Sequence, residues 1–140
     1  MNTKYLEQQN GKIAYDDSGS GPLVICTPGM GDLRGEYRFL APQLVAAGYR
    51  VVSMDVRGHG ESSPAWPDYS VAGIGEDILA LNRSLGGGPA VLIGTSMAAG
   101  AVIWAAAEAP EMAAGLVLIG PAVHGETNWQ GRLLYNVPLW

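Results

Sequence analysis

The sequence predicts an α/β fold: a predominantly parallel, doubly wound sheet that begins with an antiparallel hairpin. Three observations predict it. From Leu23 onward, short apolar runs alternate with segments whose apolar residues have helical spacing. The apolar runs are hydrophobic at every position, which is typical of parallel strands covered by helices on both faces. Before Leu23, two strand-like segments flank a turn signal, which adds an antiparallel edge to the sheet.

The hairpin occupies residues 4–8 and 12–16, and Asn10-Gly11 between them favours a type I′ turn. The later strands are predicted, in order, at Leu23 to Cys26, Arg50 to Met54, Ala90 to Ile93 and Leu116 to Ile119. The helices are predicted at Tyr37 to Ala47, Val71 to Leu85 and Ala99 to Ala109. Gly48 is a C-cap signal for the first helix, Ser70 is an N-cap for the second, and Pro110 ends the third.

Composition limits the classes of protein that the chain can belong to. A length of 140 residues, with 48% hydrophobic and 15% charged residues, is that of one ordinary globular domain. The net charge of -5 argues against nucleic acid or an anionic membrane surface as the main partner. The start of the chain lacks the apolar region of a signal peptide, and no apolar run is long enough to span a membrane, so we expect a cytoplasmic protein. Cys26, the single cysteine, is expected to be a packed core thiol.

The segment Gly94-Thr95-Ser96-Met97-Ala98 lies between a predicted strand and a predicted helix. A serine on such a sharp strand-to-helix turn is exposed at the carboxyl edge of the sheet, where a substrate can reach it. The turn needs small residues two positions before and after the serine, and Gly94 and Ala98 supply them. The alternative interpretation is an ordinary strand end with a serine as helix N-cap.

Two further loops follow predicted parallel strands and reach the same edge. One is Pro28-Gly29-Met30-Gly31-Asp32, and the other is Asp55-Val56-Arg57-Gly58-His59-Gly60-Glu61-Ser62. With the serine turn and the strand–helix order, these loops make the region from Leu23 to Pro121 resemble the α/β-hydrolase family. The Asp-x-Arg-Gly-His-Gly-x-Ser loop is the more specific of these motifs.

The resemblance implies a role for each matching residue. Ser96 corresponds to the nucleophile, and the backbone N–H groups of Met97 and Met30 correspond to the two donors of the oxyanion hole. Such a donor stabilises the charge of a tetrahedral intermediate by about 3 kcal/mol. Gly29 and Gly31 are expected to permit the bend that aims the Met30 amide inward. Pro28 departs from the family, in which a histidine commonly stands at this position, so the loop is expected to be supported differently.

Other residues of these loops have structural interpretations. The side chains of Met30 and Met97 are expected to line a pocket as flexible apolar groups. For His59 the resemblance implies a structural role, with the role of catalytic base as the weaker alternative. Asp55 and Arg57 are expected to make hydrogen bonds and an ion pair that stabilise their loop.

The base and the acid that a serine nucleophile requires are not found in this chain. The family places them after the serine, in the order acid and then histidine. The titratable residues of those types after Ser96 are Glu108, Glu111, His124 and Glu126, and none follows that pattern. Glu126 is a weak candidate for the acid, and a solvated loop is the preferred interpretation for it and for His124.

The fold therefore looks incomplete. Residues 1–140 are interpreted as the N-terminal portion of an α/β-hydrolase domain, with residues 122–140 as the start of a lid or cap segment. The strand Leu116 to Ile119 would be an apolar edge, which complete proteins avoid. We expect a C-terminal remainder of the same fold, on this or a separate polypeptide, to pair with it.

The leading functional hypothesis is a serine hydrolase that attacks an ester, thioester or similarly activated carbonyl of a small molecule through an acyl-enzyme at Ser96. The resemblance implies no cofactor and no metal. Serine at the turn argues against dehalogenase and epoxide-hydrolase activities, which need an aspartate there. Esterases, lactonases, carbon–carbon bond hydrolases and haloperoxidase-like relatives stay open. The alternative is a non-catalytic module of the same fold that binds a small apolar ligand or a protein partner.

Overall fold

The computed structural model describes residues 2–122, which form six strands and three α-helices. The strands are β1 (Lys4–Gln8), β2 (Gly11–Ser18), β3 (Leu23–Thr27), β4 (Arg50–Met54), β5 (Ala90–Thr95) and β6 (Ala113–Ile119). The helices are α1 (Leu40–Ala46), α2 (Val71–Ser84) and α3 (Met97–Glu108), with short 3₁₀ helices at Arg34–Tyr37 and Pro110–Met112.

All six strands form one sheet in the order β1-β2-β4-β3-β5-β6. The neighbours β4, β3, β5 and β6 are parallel, whereas β1–β2 and β2–β4 are antiparallel. The predicted fold class is confirmed: a mostly parallel sheet with an antiparallel hairpin at its start. The carboxyl ends of β3, β4 and β5 lie at one edge, so the loops that follow these strands can approach one another.

Helices cover both faces of the sheet, as strands that are apolar at every position require. Ile25, Val52 and Leu92 point into a core shared with α2 and α3. Val24, Cys26 and Ile93 point to the opposite face, where α1 packs. Burial raises the pKa of the Cys26 thiol to about 12, so it is a protonated core group, as predicted.

The hairpin forms, but the predicted type I′ turn at Asn10-Gly11 is wrong. Gln8 pairs with Gly11, so the two loop residues are Gln9 and Asn10, and neither has the positive φ that a type I′ turn requires. Gly11 is the first residue of β2. A Cβ there would lie 2.8 Å from the Ser63 Cβ and 3.0 Å from the Trp66 ring, so the glycine permits close packing instead of a turn.

The first helix is shorter than predicted. A 3₁₀ helix that includes Tyr37 precedes α1, which begins at Leu40 instead of Tyr37, and Phe39 between the two is 72% exposed. The predicted end is confirmed: Gly48 has φ +96° and donates to the Val45 carbonyl, while Tyr49 N–H donates to that of Leu44. This pair of bonds is a Schellman motif.

The last described strand, β6, is the edge of the sheet, as predicted. Four consecutive apolar residues of β6 are each about 40% exposed: Leu116, Val117, Leu118 and Ile119. The predicted lid segment at residues 122–140, together with His124 and Glu126, lies outside the described residues except at Ala122. Among residues 2–122, no helix has the length and apolar character needed to cross a membrane.

Candidate functional site

Ser96 has an unusual backbone conformation at the junction of β5 and α3. Its φ is +54° and its ψ is -115°, and no other non-glycine residue among residues 2–122 has a positive φ. Such a conformation costs an L-residue about 1–3 kcal/mol and persists only where the surrounding structure imposes it. The residue is exposed to solvent. An ordinary N-cap has an extended backbone and a side chain that bonds the helix, and Ser96 has neither.

Close packing and hydrogen bonds impose this turn. A Cβ at Gly94 would lie 2.5 Å from the Ala98 carbonyl oxygen, so the position two before the serine has no room for a side chain. Ser96 N–H donates to the Ile119 carbonyl at 2.9 Å, and Ala122 N–H donates to the Ser96 carbonyl at 3.0 Å. The end of β6 and the segment just after it therefore fix the backbone on both sides of the Ser96 side chain.

Helix α3 begins directly after Ser96, and Met97 is its first residue. The N–H groups of a first helical turn have no partner within the helix, and the helix dipole makes this end partly positive. The Met97 N–H donates no hydrogen bond within the described part of the chain. It is therefore available to an oxygen atom beside Ser96.

The loop after β3 passes directly beside Ser96. A Cβ at Gly29 would lie 3.4 Å from the Ser96 Cβ, which places the two backbones in near contact. Gly31 has φ +81°, and Asp32 N–H donates to the Gly29 carbonyl at 3.2 Å, so the loop reverses here. The predicted bend is present, but its left-handed conformation is at Gly31 and not at Gly29.

The backbone N–H of Met30, at the tip of this loop, has no acceptor within residues 2–122. Met30 is 69% exposed in the described part, so its role in lining a pocket stays a prediction. The Met97 side chain packs against the core that the sheet shares with α2 and α3. Only the main-chain amides of these two residues are therefore candidates for chemistry.

His59 uses both ring nitrogens on backbone groups. Its Nε2 accepts from Gly31 N–H at 2.9 Å, and its Nδ1 lies 3.1 Å from the Arg57 carbonyl oxygen. A ring with both nitrogens engaged has none left to accept a proton from a serine. This arrangement agrees with the structural interpretation of His59.

Asp55 and Arg57 both form ion pairs, but with residues outside their own loop. Asp55 is buried and pairs with Arg34, whose backbone N–H it also accepts at 2.8 Å. Arg57 makes two 2.8 Å bonds to Asp77 on α2, and its guanidinium lies 4.4 Å from the centre of the Trp66 ring. Sequence reasoning missed both partners because nothing in the local pattern pairs residues so distant in the chain.

Tyr37 is a further residue at this edge that sequence reasoning missed. Its buried hydroxyl donates to the Thr27 carbonyl at 2.8 Å and lies 2.7 Å from the Thr95 Oγ1, so it joins the ends of β3 and β5 next to Ser96. Burial raises the pKa of Tyr37 well above its usual value, so it is a neutral hydrogen-bonding group.

The two acids that follow Ser96 in the described part of the chain are not in position to activate it. Glu108 is the last residue of α3, and a 12-residue helix separates its two ends by about 17 Å. Glu111 lies beyond that far end. Residues 2–122 also hold no group of three His, Cys, Asp or Glu side chains that could bind a metal.

A family model described as "alpha/beta hydrolase fold" matches residues 22–140. The chain belongs to this family. Among similar solved structures of alpha/beta hydrolases is "Thioesterase Domain From Curacin Biosynthetic Pathway", with a TM-score of 0.83 and 29% identity; the match covers 96% of this chain and 52% of that one.

Curated relatives carry several different names. One is "Bifunctional epoxide hydrolase 2" of Sus scrofa, 33% identical over 95 residues, which are 66% of this chain and 17% of the relative. Another is "Putative non-heme bromoperoxidase BpoC" of Mycobacterium tuberculosis (strain ATCC 25618 / H37Rv), 33% identical over 125 residues, which are 89% of this chain and 46% of the relative. The chain thus matches less than half the length of either relative.

Proposed function

We propose that this alpha/beta hydrolase chain carries the nucleophile and oxyanion hole of a serine hydrolase that acts on an ester, thioester or similarly activated carbonyl of a small molecule. One observation carries the proposal. An exposed serine is in a conformation that only its surroundings can impose, and it lies against the Gly29-Met30-Gly31 loop. The amides of Met30, in that loop, and of Met97, the residue after the serine, have no acceptor in the described part.

The chemistry follows from this arrangement. The Ser96 Oγ attacks the carbonyl carbon, and its proton passes to a base. The carbonyl oxygen becomes an oxyanion that the two N–H groups and the positive end of α3 stabilise. The alcohol or thiol then leaves with the proton, and water hydrolyses the acyl-enzyme and restores the serine hydroxyl.

We place the base and its orienting acid outside the described residues. His59 is engaged with two backbone groups, and Glu108 is at the far end of α3. We assign both missing roles to a C-terminal remainder of the same fold, on this or another polypeptide. The exposed apolar strand β6 is the surface that this remainder would cover.

A serine nucleophile makes epoxide hydrolysis the less suitable reaction, although one relative bears that name. A carboxylate that opens an epoxide forms an ester, which water can cleave. A serine oxygen would form an ether, which has no carbonyl for water to attack. The chemistry of Ser96 therefore favours acyl transfer, for which the thioesterase neighbour is the better analogue.

A fluorophosphonate probe tests the proposal, because it reacts with activated serines and leaves an oxygen in the oxyanion hole. The protein should be isolated from its own host with an N-terminal tag, so that any C-terminal remainder or partner chain accompanies it. We expect a single labelled serine, and Ser96→Ala should abolish the labelling. Ser20→Ala, a change at an exposed serine in an ordinary loop, is the matched control and should label normally.

Two results would contradict the proposal. One is labelling that persists in Ser96→Ala. The other is a folded protein, complete with its remainder, that does not label at all. The second result would favour the non-catalytic module, and binding of small apolar ligands would then be the activity to measure.

A further inference from the structure

Three consecutive backbone amides form the tip of the loop beside Ser96, and side chains from other elements engage the outer two. Gly31 N–H donates to the His59 Nε2 at 2.9 Å, and Gly29 N–H donates to the Glu36 Oε2 at 3.3 Å. Only the middle amide, that of Met30, has no acceptor in the described part. The loop is thus held on both sides of its free donor.

The contact with His59 determines the state of the imidazole. A backbone N–H can only donate, so the Nε2 must carry a lone pair. The ring proton is then on Nδ1, from which it donates to the Arg57 carbonyl at 3.1 Å. His59 must therefore be neutral and in the Nδ1–H tautomer for the contact to exist.

The loop needs such support from outside. Pro28 has neither a backbone N–H nor a polar side chain to stabilise it. Gly31, at φ +81°, has a backbone that is free to adopt many conformations when nothing fixes it. Without an acceptor for Gly31, the loop could change its conformation at this residue, and the neighbouring Met30 amide would no longer be held in one position.

We infer that His59 is a positioning residue, which holds the oxyanion loop through Gly31 so that the Met30 N–H faces the oxygen of the acyl group. It touches neither the substrate nor the nucleophile. This inference rests on the proposed function, since it assigns a purpose to the free Met30 amide. The contact itself is a separate claim about the imidazole and can be measured without any activity.

The first measurement is therefore spectroscopic. The ¹⁵N shifts of the His59 ring distinguish its two neutral tautomers. We expect the Nδ1–H tautomer in the folded protein. The chemical shift of the Gly31 amide proton should differ between wild type and His59→Leu. An Nε2–H tautomer would overturn the inference, because that nitrogen could not accept from Gly31.

The second measurement is the rate of fluorophosphonate labelling of Ser96 in protein isolated with its remainder. Loss of one oxyanion donor lowers turnover about 10²–10³-fold, so a loosened Met30 amide in His59→Leu should slow labelling at least about tenfold. In His59→Gln the amide oxygen occupies the place of Nε2 and can accept from Gly31, so most of the rate should return. The shorter His59→Asn should not recover it.

Glu61→Gln is the matched control, since Glu61 lies in the same loop and its side chain hydrogen-bonds Thr3, Tyr5 and Arg34 and not the Gly29-Met30-Gly31 segment. It should label at the wild-type rate. With an ester such as p-nitrophenyl butyrate, His59→Leu should lower kcat and leave KM nearly unchanged. A merely structural histidine would instead lower the fraction of folded protein and leave the kcat of the folded fraction intact.

The outcomes separate the two proposals. Equal labelling rates in wild type and His59→Leu would overturn the positioning role while the role of Ser96 stands. If His59→Leu does not fold, unequal rates in the Gln and Asn variants support the inference and equal rates overturn it. If wild type does not label at all, the proposed function fails and the positioning role fails with it, whatever the tautomer.

Discussion

Ser96 combines a residue type and a backbone conformation that rarely occur together. A positive φ is ordinary for glycine, but serine has a Cβ that makes this region unfavourable. Other contacts offset this cost: the tight approach of Gly94 to Ala98, and two backbone hydrogen bonds of Ser96, one with Ile119 and one with Ala122. A strained residue that stays exposed points to function more strongly than the surrounding five-residue motif does.

Gly94→Ala tests whether the turn depends on the absence of a side chain at this position. The new Cβ would meet a backbone oxygen at 2.5 Å, so the chain must shift, and overpacking of this kind costs about 1–3 kcal/mol. We expect a lower free energy of unfolding in urea and the loss of Ser96 labelling.

Gly88→Ala is the control for Gly94→Ala. Gly88 has no positive φ and no atom within 4 Å of its Cβ position. Gly88→Ala should therefore change the free energy of unfolding by no more than about 0.5 kcal/mol. If Gly94→Ala behaved like this control, steric exclusion at Gly94 would not be what shapes the turn.

At the scale of elements, the sequence predicts best where the signal is local. Neighbouring residues in the chain specify three of the features: the N-cap at Ser70, the end of α1 at Gly48 and the five-residue strand β4. The errors came from contacts distant in the chain. Asn10-Gly11 has the composition of a type I′ turn, but Gly11 serves packing against Ser63 and Trp66 instead.

The site shows the same division between local and distant information. Ser96 and the two loops could be located from motifs, because each motif follows a strand of the same parallel sheet. The bond between Gly31 and His59 and the ion pair between Arg34 and Asp55 join residues 28 and 21 positions apart. No periodicity or spacing encodes such contacts, because they depend on how neighbouring loops fold over the sheet edge.

Helix α2 offers a prediction at this scale. The Ser70 hydroxyl accepts from Gly73 N–H at 3.0 Å and donates to the Asp68 carboxylate at 2.7 Å. Removing it in Ser70→Ala leaves the Gly73 donor without its partner and should lower the free energy of unfolding by about 1 kcal/mol. Ser70→Thr keeps the hydroxyl and should cost less, as measured by urea denaturation. Equal losses in both variants would mean that the cap bond is not what stabilises the start of α2.

At the scale of the whole molecule, the two edges of the sheet are unlike. The β1 edge carries charged and polar residues, among them Lys4 and Glu7, which discourage pairing with another strand. The β6 edge has Leu116, Val117, Leu118 and Ile119 exposed in succession. Register places Val117 beside Ile93, on the face that α1 covers further along the sheet. Within residues 2–122 nothing packs outside β6, so its main-chain groups and side chains are open to a partner strand.

This asymmetry predicts that the 140-residue chain, expressed alone, associates with itself through β6. Exposed backbone donors and acceptors flanked by apolar side chains favour strand-to-strand pairing, and a lysine on the edge opposes it. Val117→Lys should therefore raise the monomer fraction in sedimentation velocity at every protein concentration. Phe39→Lys removes a side chain that is 72% exposed but lies off the sheet, so it controls for a general loss of surface hydrophobicity and should not change the association. If the two variants had equal effects, association would reflect non-specific apolar contact, and the assignment of β6 as the surface that a C-terminal remainder covers would lose its support.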